Sequence, residues 1–431
     1  MNKINQKILQ LILFFILYAL VVYVYDAQLV KLYGYKGARH IFDWDIRIVL
    51  VAIAAMFAGL LLPVRLKMPG DYFILVFFLF CVPQIVILNG VSLYHDVNFP
   101  YVFSIGVAIS IMGLANIISR KNNYAIARTD CPDKRTIYAL VAILFFVSVY
   151  VLIVTHSFFS IGYDGYHIRR ILAKEVIISG SISAYVVSIV LQGLFPILLT
   201  YSVLSKNKII LLTAMFSIAV LWGGFGERYV IAMSIFLVLL MKLHIMGKKL
   251  GVGSIIPLMM IGLFVALSLT EEMINGTRVI ADNFLRRIFA VPAVINDAYI
   301  SYLDAYGFNR YCDSTLSSIF CEDRSEILSY EVSRKIIQDD YMNANTNFMT
   351  YSYGNFGLAS LVIESAIVGC VIYICNIEYS RKYSLFMLSI SFIFALRLIE
   401  KALLTTLFSS GIAFLILISL IIYKRKLNAR L

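Results

Sequence analysis

Residues 137–155 read IYALVAILFFVSVYVLIVT, an apolar run without a charged side chain. A helix of about 20 residues, rising about 1.5 Å per residue, crosses the ~30 Å hydrocarbon core of a bilayer. The run therefore predicts a membrane-spanning helix. Lys134 and Arg135 directly precede it, and basic residues at that position are typical of the cytoplasmic end of a span.

Similar runs recur along the chain. Of its 431 residues, 61% are hydrophobic and 14% are charged, against about 45–50% and about 25% in soluble domains. Such an apolar excess must face lipid, which excludes soluble, disordered and fibrous proteins. Outer-membrane barrels are disfavoured because their segments are short and alternating. We predict an all-α integral membrane protein, one domain over 1–431, with about 12 transmembrane helices near 8–25, 47–63, 72–88, 101–118, 137–155, 181–204, 209–225, 229–246, 254–270, 353–375, 384–398 and 402–423; the last two could instead form a re-entrant pair.

The distribution of basic residues predicts the orientation. With the N-terminus in the cytoplasm, every inner loop is basic, and the outer loop 89–100 contains no Lys or Arg, as the positive-inside rule requires. Both termini are then cytoplasmic, and 271–352 becomes one large outer loop. The net charge of +12 is thus interpreted as a topology signal and not as a nucleic-acid surface. The basic residues of the inner loops and the C-terminal tail are Arg65, Lys67, Arg120, Lys121, Arg128, Lys134, Arg135, Lys206, Lys208, Lys248, Lys249, Arg381, Lys382, Lys424, Arg425, Lys426 and Arg430.

Basic residues on the outer side oppose this orientation and need another explanation. Most are arginines, whose planar fork of donors suits phosphate. Arg228 lies in a short Gly-rich turn between two apolar runs, where it would bind an anionic headgroup or pair with Glu227. Arg169 and Arg170 follow an aromatic stretch that ends in His167, and the three would contact a phosphorylated sugar or form an ordinary solvated loop.

The large outer loop contains an amphipathic pattern over 281–302, with apolar residues at helical spacing. Such a helix would lie across the membrane surface with Arg286 and Arg287 at headgroup depth, close to Arg278. The alternative is an ordinary helix packed on the bundle.

Two cysteines of this loop, Cys312 and Cys321, are close in sequence. They are disulfide candidates in an oxidising outer compartment, and two free thiols are the alternative. A metal site is not predicted, because no His lies near them and neither CxxC nor HxxxH spacing occurs.

Motifs of soluble nucleotide and hydrolase chemistry are absent from the sequence: GxxxxGK[ST], GxGxxG, HExxH and GxSxG do not occur. The inner loops are too short for a nucleotide-binding domain. An active site would therefore face outward and use an already activated substrate. A lipid pyrophosphate fits, because it carries its own leaving group and arginines could stabilise the departing charge without metal or cofactor.

Four segments resemble Wzy-type O-antigen and oligosaccharide repeat-unit polymerases. The resemblance is strongest in the first of them and covers about 80 residues locally, while the hydropathy plan is similar over the whole chain. The segments are RIFAVPA at 287–293 followed by Tyr299 and Tyr302, DYMNANTNF at 340–348, YGNFG at 353–357 and GER at 226–228.

The resemblance implies a metal-independent, GT-C-like membrane glycosyltransferase without cofactor. It would transfer a growing glycan from undecaprenyl pyrophosphate onto a new lipid-linked repeat unit, making O-antigen or a related surface polysaccharide. The site would lie on the periplasmic face of the bacterial inner membrane. Its partners would be the undecaprenyl-pyrophosphate-linked oligosaccharide donor and acceptor, the lipid bilayer, a chain-length regulator and a flippase, with no nucleic acid.

The resemblance also implies residue roles. Arg228 and Arg287, with Arg278, would grip the pyrophosphate, and Asp340 or Glu227 would be the acceptor's base. Asn345 and Asn347 would hold sugar hydroxyls. Further substrate-binding candidates are Arg169, Arg170, Arg286, His167 and Tyr353, although close helix packing is the alternative for Tyr353.

Three other functions stay open. The related O-antigen ligases carry a His in the outer segment before the late span, where this chain has Asn343, Asn345 and Asn347. A twelve-span lipid-linked oligosaccharide flippase or transporter would show duplicated halves and charges along midplane helices, and neither is evident. A non-catalytic membrane scaffold is the third.

Overall fold

The structure, a computed structural model, describes residues 3–30, 53, 59–91, 95–121, 134–156, 166–177, 181–225, 229–250, 255–314, 317–321, 326–340, 343–382 and 385–428. These residues form helices and turns and contain no strand, which confirms the all-α class. Within them, eight helices are long and apolar enough to cross a membrane: Ile4–Leu29, Pro69–Leu88, Pro100–Arg120, Lys134–Thr155, Ile182–Ser205, Lys208–Phe225, Pro257–Asn275 and Leu358–Ser380.

Each of these eight helices overlaps a span expected from the sequence. Two other expected spans are shorter apolar helices, Val230–Lys242 and Phe386–Leu398. The expected span 47–63 falls mostly outside the described residues. The expected span 402–423 is interrupted near Gly411, so the total of twelve stays a prediction.

Sixteen helices are labelled in chain order. Short π-helical turns extend or interrupt several of them. The helices are α1 Lys3–Val24 (with a π turn Tyr25–Leu29), α2 Pro69–Val91, α3 His95–Lys121, α4 Lys134–Thr155, α5 Tyr166–Val176, α6 Ile182–Ser205 (π at Ile189–Leu194), α7 Lys208–Phe225, α8 Tyr229–Leu250, α9 Ile255–Asn275, α10 Ala281–Ala290 (π) continued by Val291–Tyr306, α11 Ser317–Phe320, α12 Leu328–Val332 (then π Ser333–Ile337), α13 Phe348–Phe356, α14 Leu358–Lys382, α15 Leu385–Leu398 and α16 Ile412–Asn428, preceded by a π turn Thr405–Ser409.

The chain divides into two compact units, although the sequence predicts a single domain. Unit 1 comprises Met1–Lys121, Gly251–Tyr373 and Leu398–Leu403. Unit 2 comprises Asn122–Leu250, Ile374–Arg397 and Leu404–Leu431. Each unit is described by itself.

The core of unit 1 is built around α1 and α2. Helix α1 packs on α9 and on α2. The Phe14 and Phe78 rings lie 5.5 Å apart, and the buried Tyr18 hydroxyl donates to the Phe78 carbonyl (3.2 Å). A polar group inside such a core needs a hydrogen-bond partner, and this bond also fixes the register between the two helices.

Asp71 joins two segments that the sequence places in cytoplasmic loops. One of its carboxylate oxygens accepts from the backbone N–H groups of Lys67 (2.8 Å) and Met68 (3.0 Å). The other accepts from the Asn116 amide (3.0 Å) and lies 3.4 Å from the Arg120 guanidinium. The start of α2 and the end of α3 therefore lie together, as expected for consecutive antiparallel spans.

Unit 2 relies on small residues for close helix packing. Helix α7 packs on α4, α5 and α6. The hydroxyls of Ser148 and Ser217 lie 2.9 Å apart, and a Cβ added at Gly224 would overlap the Thr155 hydroxyl oxygen. Small residues permit such close approach between spanning helices.

Gly411 ends the helical turn before α16 and explains why 402–423 is not one continuous helix. Its φ of +73° is in the left-handed region, which residues other than glycine rarely adopt. A Cβ at this position would also lie 2.6 Å from the Ile189 side chain of α6. Both the backbone conformation and the contact with α6 therefore require glycine.

We expect Gly411→Ala to lower the free energy of unfolding by about 1–3 kcal/mol, because strain and the Ile189 clash add. The measurement is thermal unfolding of the purified protein in detergent. Gly262→Ala on α9 is the matched control, since a Cβ added at Gly262 would meet nothing within 4 Å among the described residues and alanine favours a helix. Equal unfolding temperatures for the two variants would contradict the expectation.

Candidate outer-loop site

The segment predicted as an amphipathic helix over 281–302 is helical, as α10, and packs on α2. Its contact with α2 supports the alternative of a helix packed on the bundle. The apolar repeat over this segment runs through Phe284, Ile288, Val291, Ile295 and Tyr302. Ile295 and Tyr302 are buried as expected, but near the start of α10 the buried residues are Leu285 and Phe289, whereas Phe284 is half exposed. In a π-helix the hydrogen bonds join residue i to i+5, so each turn contains more residues than in an α-helix. Because Ala281–Ala290 is π-helical, its buried residues do not follow the 3.6-residue repeat of a regular α-helix.

Glu271 fixes the start of α10. One carboxylate oxygen accepts from the Val279 N–H and from the Thr277 hydroxyl, both at 2.8 Å. The other accepts from the Ile280 N–H (2.9 Å). A carboxylate on the first free N–H groups of a helix acts as a cap and interacts favourably with the helix dipole. The turn between α9 and α10 is closed by Gly276, whose φ is +65°.

Arg278 is engaged by an acid of the protein. Its Nε donates to Glu272 (2.7 Å), and its Nη2 forms an ion pair with the same oxygen. The second Glu272 oxygen accepts from the buried Gln28 amide (2.7 Å), which also donates to the Ser268 carbonyl (3.0 Å). The contacts assign Arg278 to holding α1, α9 and the start of α10 together, which weakens its candidacy as a phosphate ligand.

Arg286 and Arg287 are adjacent and differ in their surroundings. The Arg286 Nε lies 3.0 Å from the Asp282 carbonyl and 3.2 Å from its carboxylate, one turn earlier. Arg287 is exposed, and among the described residues it forms no hydrogen bond or ion pair. Helix α10 is anchored to α2, because the Gln84 amide of α2 donates to the Ile288 carbonyl (2.9 Å). Arg287 is thus an accessible guanidinium on an anchored helix.

The remaining arginine candidates do not belong to this segment. Arg228 and Glu227 lie outside the described residues. Arg169, Arg170 and His167 are on α5 in unit 2, and the structure describes only the Arg169 side chain among the three. It is buried, with its guanidinium carbon 5.2 Å from the Trp222 ring centre.

The asparagine-rich segment before α13 contains both buried and exposed members. Asn347 is buried, and its side-chain oxygen caps α13 by accepting from the Thr350 N–H (3.0 Å). Asn296 of α10 accepts from the hydroxyls of Thr346 and Thr350. Asn347 therefore has a structural role as helix cap, whatever sugar contact its amide makes.

Asn345, Asp340 and Tyr353 complete the set predicted from the sequence. The side chains of Asn345 and Asp340 are exposed and belong, like Arg287, to unit 1. Tyr353 is buried, with its ring centre 5.3 Å from that of Tyr101 and 6.2 Å from that of Phe308. Close packing, the alternative to substrate binding, therefore explains Tyr353. The side chains of Asn345 and Asp340 remain accessible from the surface.

Asp313 is a structural centre that the sequence did not single out. Its buried carboxylate accepts from the Tyr351 hydroxyl, from the Asn309 amide (2.7 Å) and from the Leu328 N–H (3.1 Å). Burial is the main cause that raises the pKa of Tyr351 well above its usual value, and the nearby Asp313 charge raises it further. The phenol therefore stays protonated and donates its hydrogen bond. A lone aspartate in an irregular loop carries no periodic signal that could have revealed this role.

The Cys312 and Cys321 side chains form a disulfide, with the Cα atoms 5.7 Å apart. Next to it, Arg310 and Tyr311 have φ values of +55° and +62°, and the Arg310 N–H donates to the Asn355 carbonyl (3.1 Å). The Tyr311 hydroxyl donates to Glu364 of α14 (2.6 Å). The disulfide loop is thereby bound to both α13 and α14.

This geometry offers one class of chemistry at the surface of unit 1. The Arg287 guanidinium, the Asp340 carboxylate and the Asn345 amide are exposed in this unit. Among the described residues, no group of three or more His, Cys, Asp or Glu side chains could hold a metal ion. Anion binding by Arg287 and hydrogen bonding by Asp340 and Asn345 are what these residues can supply.

Comparisons of the sequence with models of protein families and with curated proteins, and of the structure with solved structures, give no match.

Proposed function

We propose that the chain is a membrane-embedded polysaccharide polymerase that joins undecaprenyl-pyrophosphate-linked oligosaccharide repeat units on the periplasmic face of the bacterial inner membrane. The observation that supports it best is the state of Arg287. Of the three arginines predicted around α10, Arg278 and Arg286 contact acids of the protein, whereas Arg287 is exposed and has no such partner among the described residues.

Arg287 binds the pyrophosphate of the donor lipid in this proposal. Charge-assisted bonds from a guanidinium to phosphate are short and bidentate. They strengthen as the bond between the anomeric carbon and the pyrophosphate oxygen breaks, since negative charge then builds up on the leaving group. The role of Arg228, which lies outside the described residues, stays a prediction from the sequence.

The acceptor is the terminal sugar hydroxyl of a second lipid-linked repeat unit. Its oxygen forms the new bond to the anomeric carbon, undecaprenyl pyrophosphate leaves, and the hydroxyl proton passes to a carboxylate. Asp340 is the proposed base because it is exposed and belongs to the same unit as Arg287. Asn345 is proposed to hold a sugar hydroxyl, which its exposed amide can do as donor or acceptor.

The test is a gel of surface polysaccharide from a strain that lacks the gene, with and without the gene restored. We expect the ladder to collapse to lipid A–core carrying a single repeat unit, and to return on complementation. Loss of all repeat units with polymer retained on its lipid carrier would indicate a ligase. Accumulation of single lipid-linked units on the inner face would indicate a flippase, and an unchanged ladder would refute all three.

A further inference from the structure

Exposed apolar side chains gather where the disulfide loop meets α13 and α14. Ile319, Phe308 and Phe320 are 70%, 48% and 46% exposed. The aromatic patch is defined as Phe308, Ile319, Phe320, Phe356 and Leu358.

Three members of the patch, Phe308, Phe320 and Phe356, lie against each other or against residues of the disulfide loop and α13. The ring centres of Phe320 and Phe356 are 5.4 Å apart, and each lies about as close to the Tyr311 ring, at 6.2 and 5.8 Å. Phe308 lies against Gly357, where an added Cβ would be 3.1 Å from its ring. The disulfide and the Tyr311–Glu364 hydrogen bond fix this arrangement. The patch is therefore a built surface and not a set of scattered side chains.

The patch continues directly into the exposed stripe of α14. Ala359, Ile363, Ile367 and Cys370 are all exposed and recur at helical spacing along this apolar helix. A stripe of this kind on a spanning helix faces lipid acyl chains. Because the patch begins at the N-terminal end of the same helix, the lipid that covers the stripe reaches it.

We propose that the aromatic patch inserts into the interfacial layer of the bilayer and anchors the disulfide loop to the lipid surface. Aromatic side chains concentrate at the level of the headgroups, and the exposed Arg310 beside the patch matches anionic lipid phosphates. Insertion holds the loop 307–321 against the membrane. The proposal does not depend on the polymerase function.

The test places a fluorescent reporter in the patch of the full-length protein in phosphatidylethanolamine–phosphatidylglycerol vesicles. Phe320→Trp adds one indole to the two tryptophans of the chain, whose emission is subtracted with the unsubstituted protein. We expect the added emission to be blue-shifted, to lose most of its intensity with lipids brominated near the headgroup end of the acyl chain, and to resist aqueous iodide. Ile319→Trp is the second reporter if Phe320→Trp fails to fold.

Tyr306→Trp is the matched control, because Tyr306 is an exposed aromatic residue at the end of α10, next to the disulfide loop, and its ring packs on Tyr302 and Lys335 instead of the patch. Its added emission should be quenched by iodide more than by brominated lipid. The proposal is overturned if the Phe320→Trp reporter behaves like this control. It is also overturned if brominated lipid leaves the emission unchanged while delipidated polysaccharide, released from the producing strain, changes it. The patch would then bind sugar.

Discussion

Arg287→Ala is expected to abolish the polysaccharide ladder while leaving the protein folded in the membrane. The guanidinium is exposed and unpaired among the described residues, so its removal breaks no contact of the fold. If it stabilises the leaving pyrophosphate, the rate of glycosyl transfer should fall by about 10²–10³-fold, as for loss of one preorganised donor in an active site. The measurements are the gel of surface polysaccharide and the abundance of the variant in the membrane fraction.

Two further variants make this result specific. Arg287→Lys keeps the charge and loses the planar fork, so it should restore only short chains, because lysine cannot bind phosphate in two parallel bonds. Arg334→Ala removes another exposed arginine of the same unit, whose partner is Glu326, and should leave the ladder unchanged. A normal ladder with Arg287→Ala at normal abundance would remove the main support of the proposed function.

The apolar helices and α10 could be predicted because their signals are long and periodic. Eight apolar runs coincide with helices of spanning length, and the repeat over 281–302 correctly located α10. The repeat did not give the buried face, because the π-helical turn Ala281–Ala290 shifts it and no sequence pattern distinguishes that turn. Likewise, the apolar composition of 402–423 predicted one helix, while a single glycine at left-handed φ divides it.

The individual site residues were less predictable than the elements that carry them. The sequence predicts phosphate contact for three arginines near α10, and only the structure separates Arg278 and Arg286, each beside an acid, from the exposed Arg287. Asn347 reads as a polar loop residue, but it caps α13. The hydrogen bond from Gln28 to Glu272, the acid that holds Arg278, comes from a residue distant in sequence. The capping role of Asn347 depends on the residue at which α13 begins. Composition encodes neither.

Replacing Asp313 should cause the largest loss of stability among variants of the segment 271–352. Asp313→Ala removes the acceptor of the Tyr351 hydroxyl and of the Leu328 N–H, and it leaves the Asn309 amide only its longer bond to the Asn355 side chain (3.4 Å). An unsatisfied buried donor costs about 1–3 kcal/mol, so we expect a loss of several kcal/mol. Asp313→Asn retains one acceptor oxygen and should lose less.

Thermal unfolding in detergent, combined with limited proteolysis of the loop between α10 and α13, measures this effect. Asp304→Ala is the control, because Asp304 is exposed on α10. If Asp313→Ala unfolds at the temperature of Asp304→Ala, the hydrogen bonds of Asp313 do not stabilise the loop. Asp313→Ala and Arg287→Ala together separate structure from chemistry: Asp313→Ala should reduce polymer together with protein abundance, whereas Arg287→Ala should reduce polymer alone. Loss of polymer at full abundance in both variants would instead place Asp313 in the reaction.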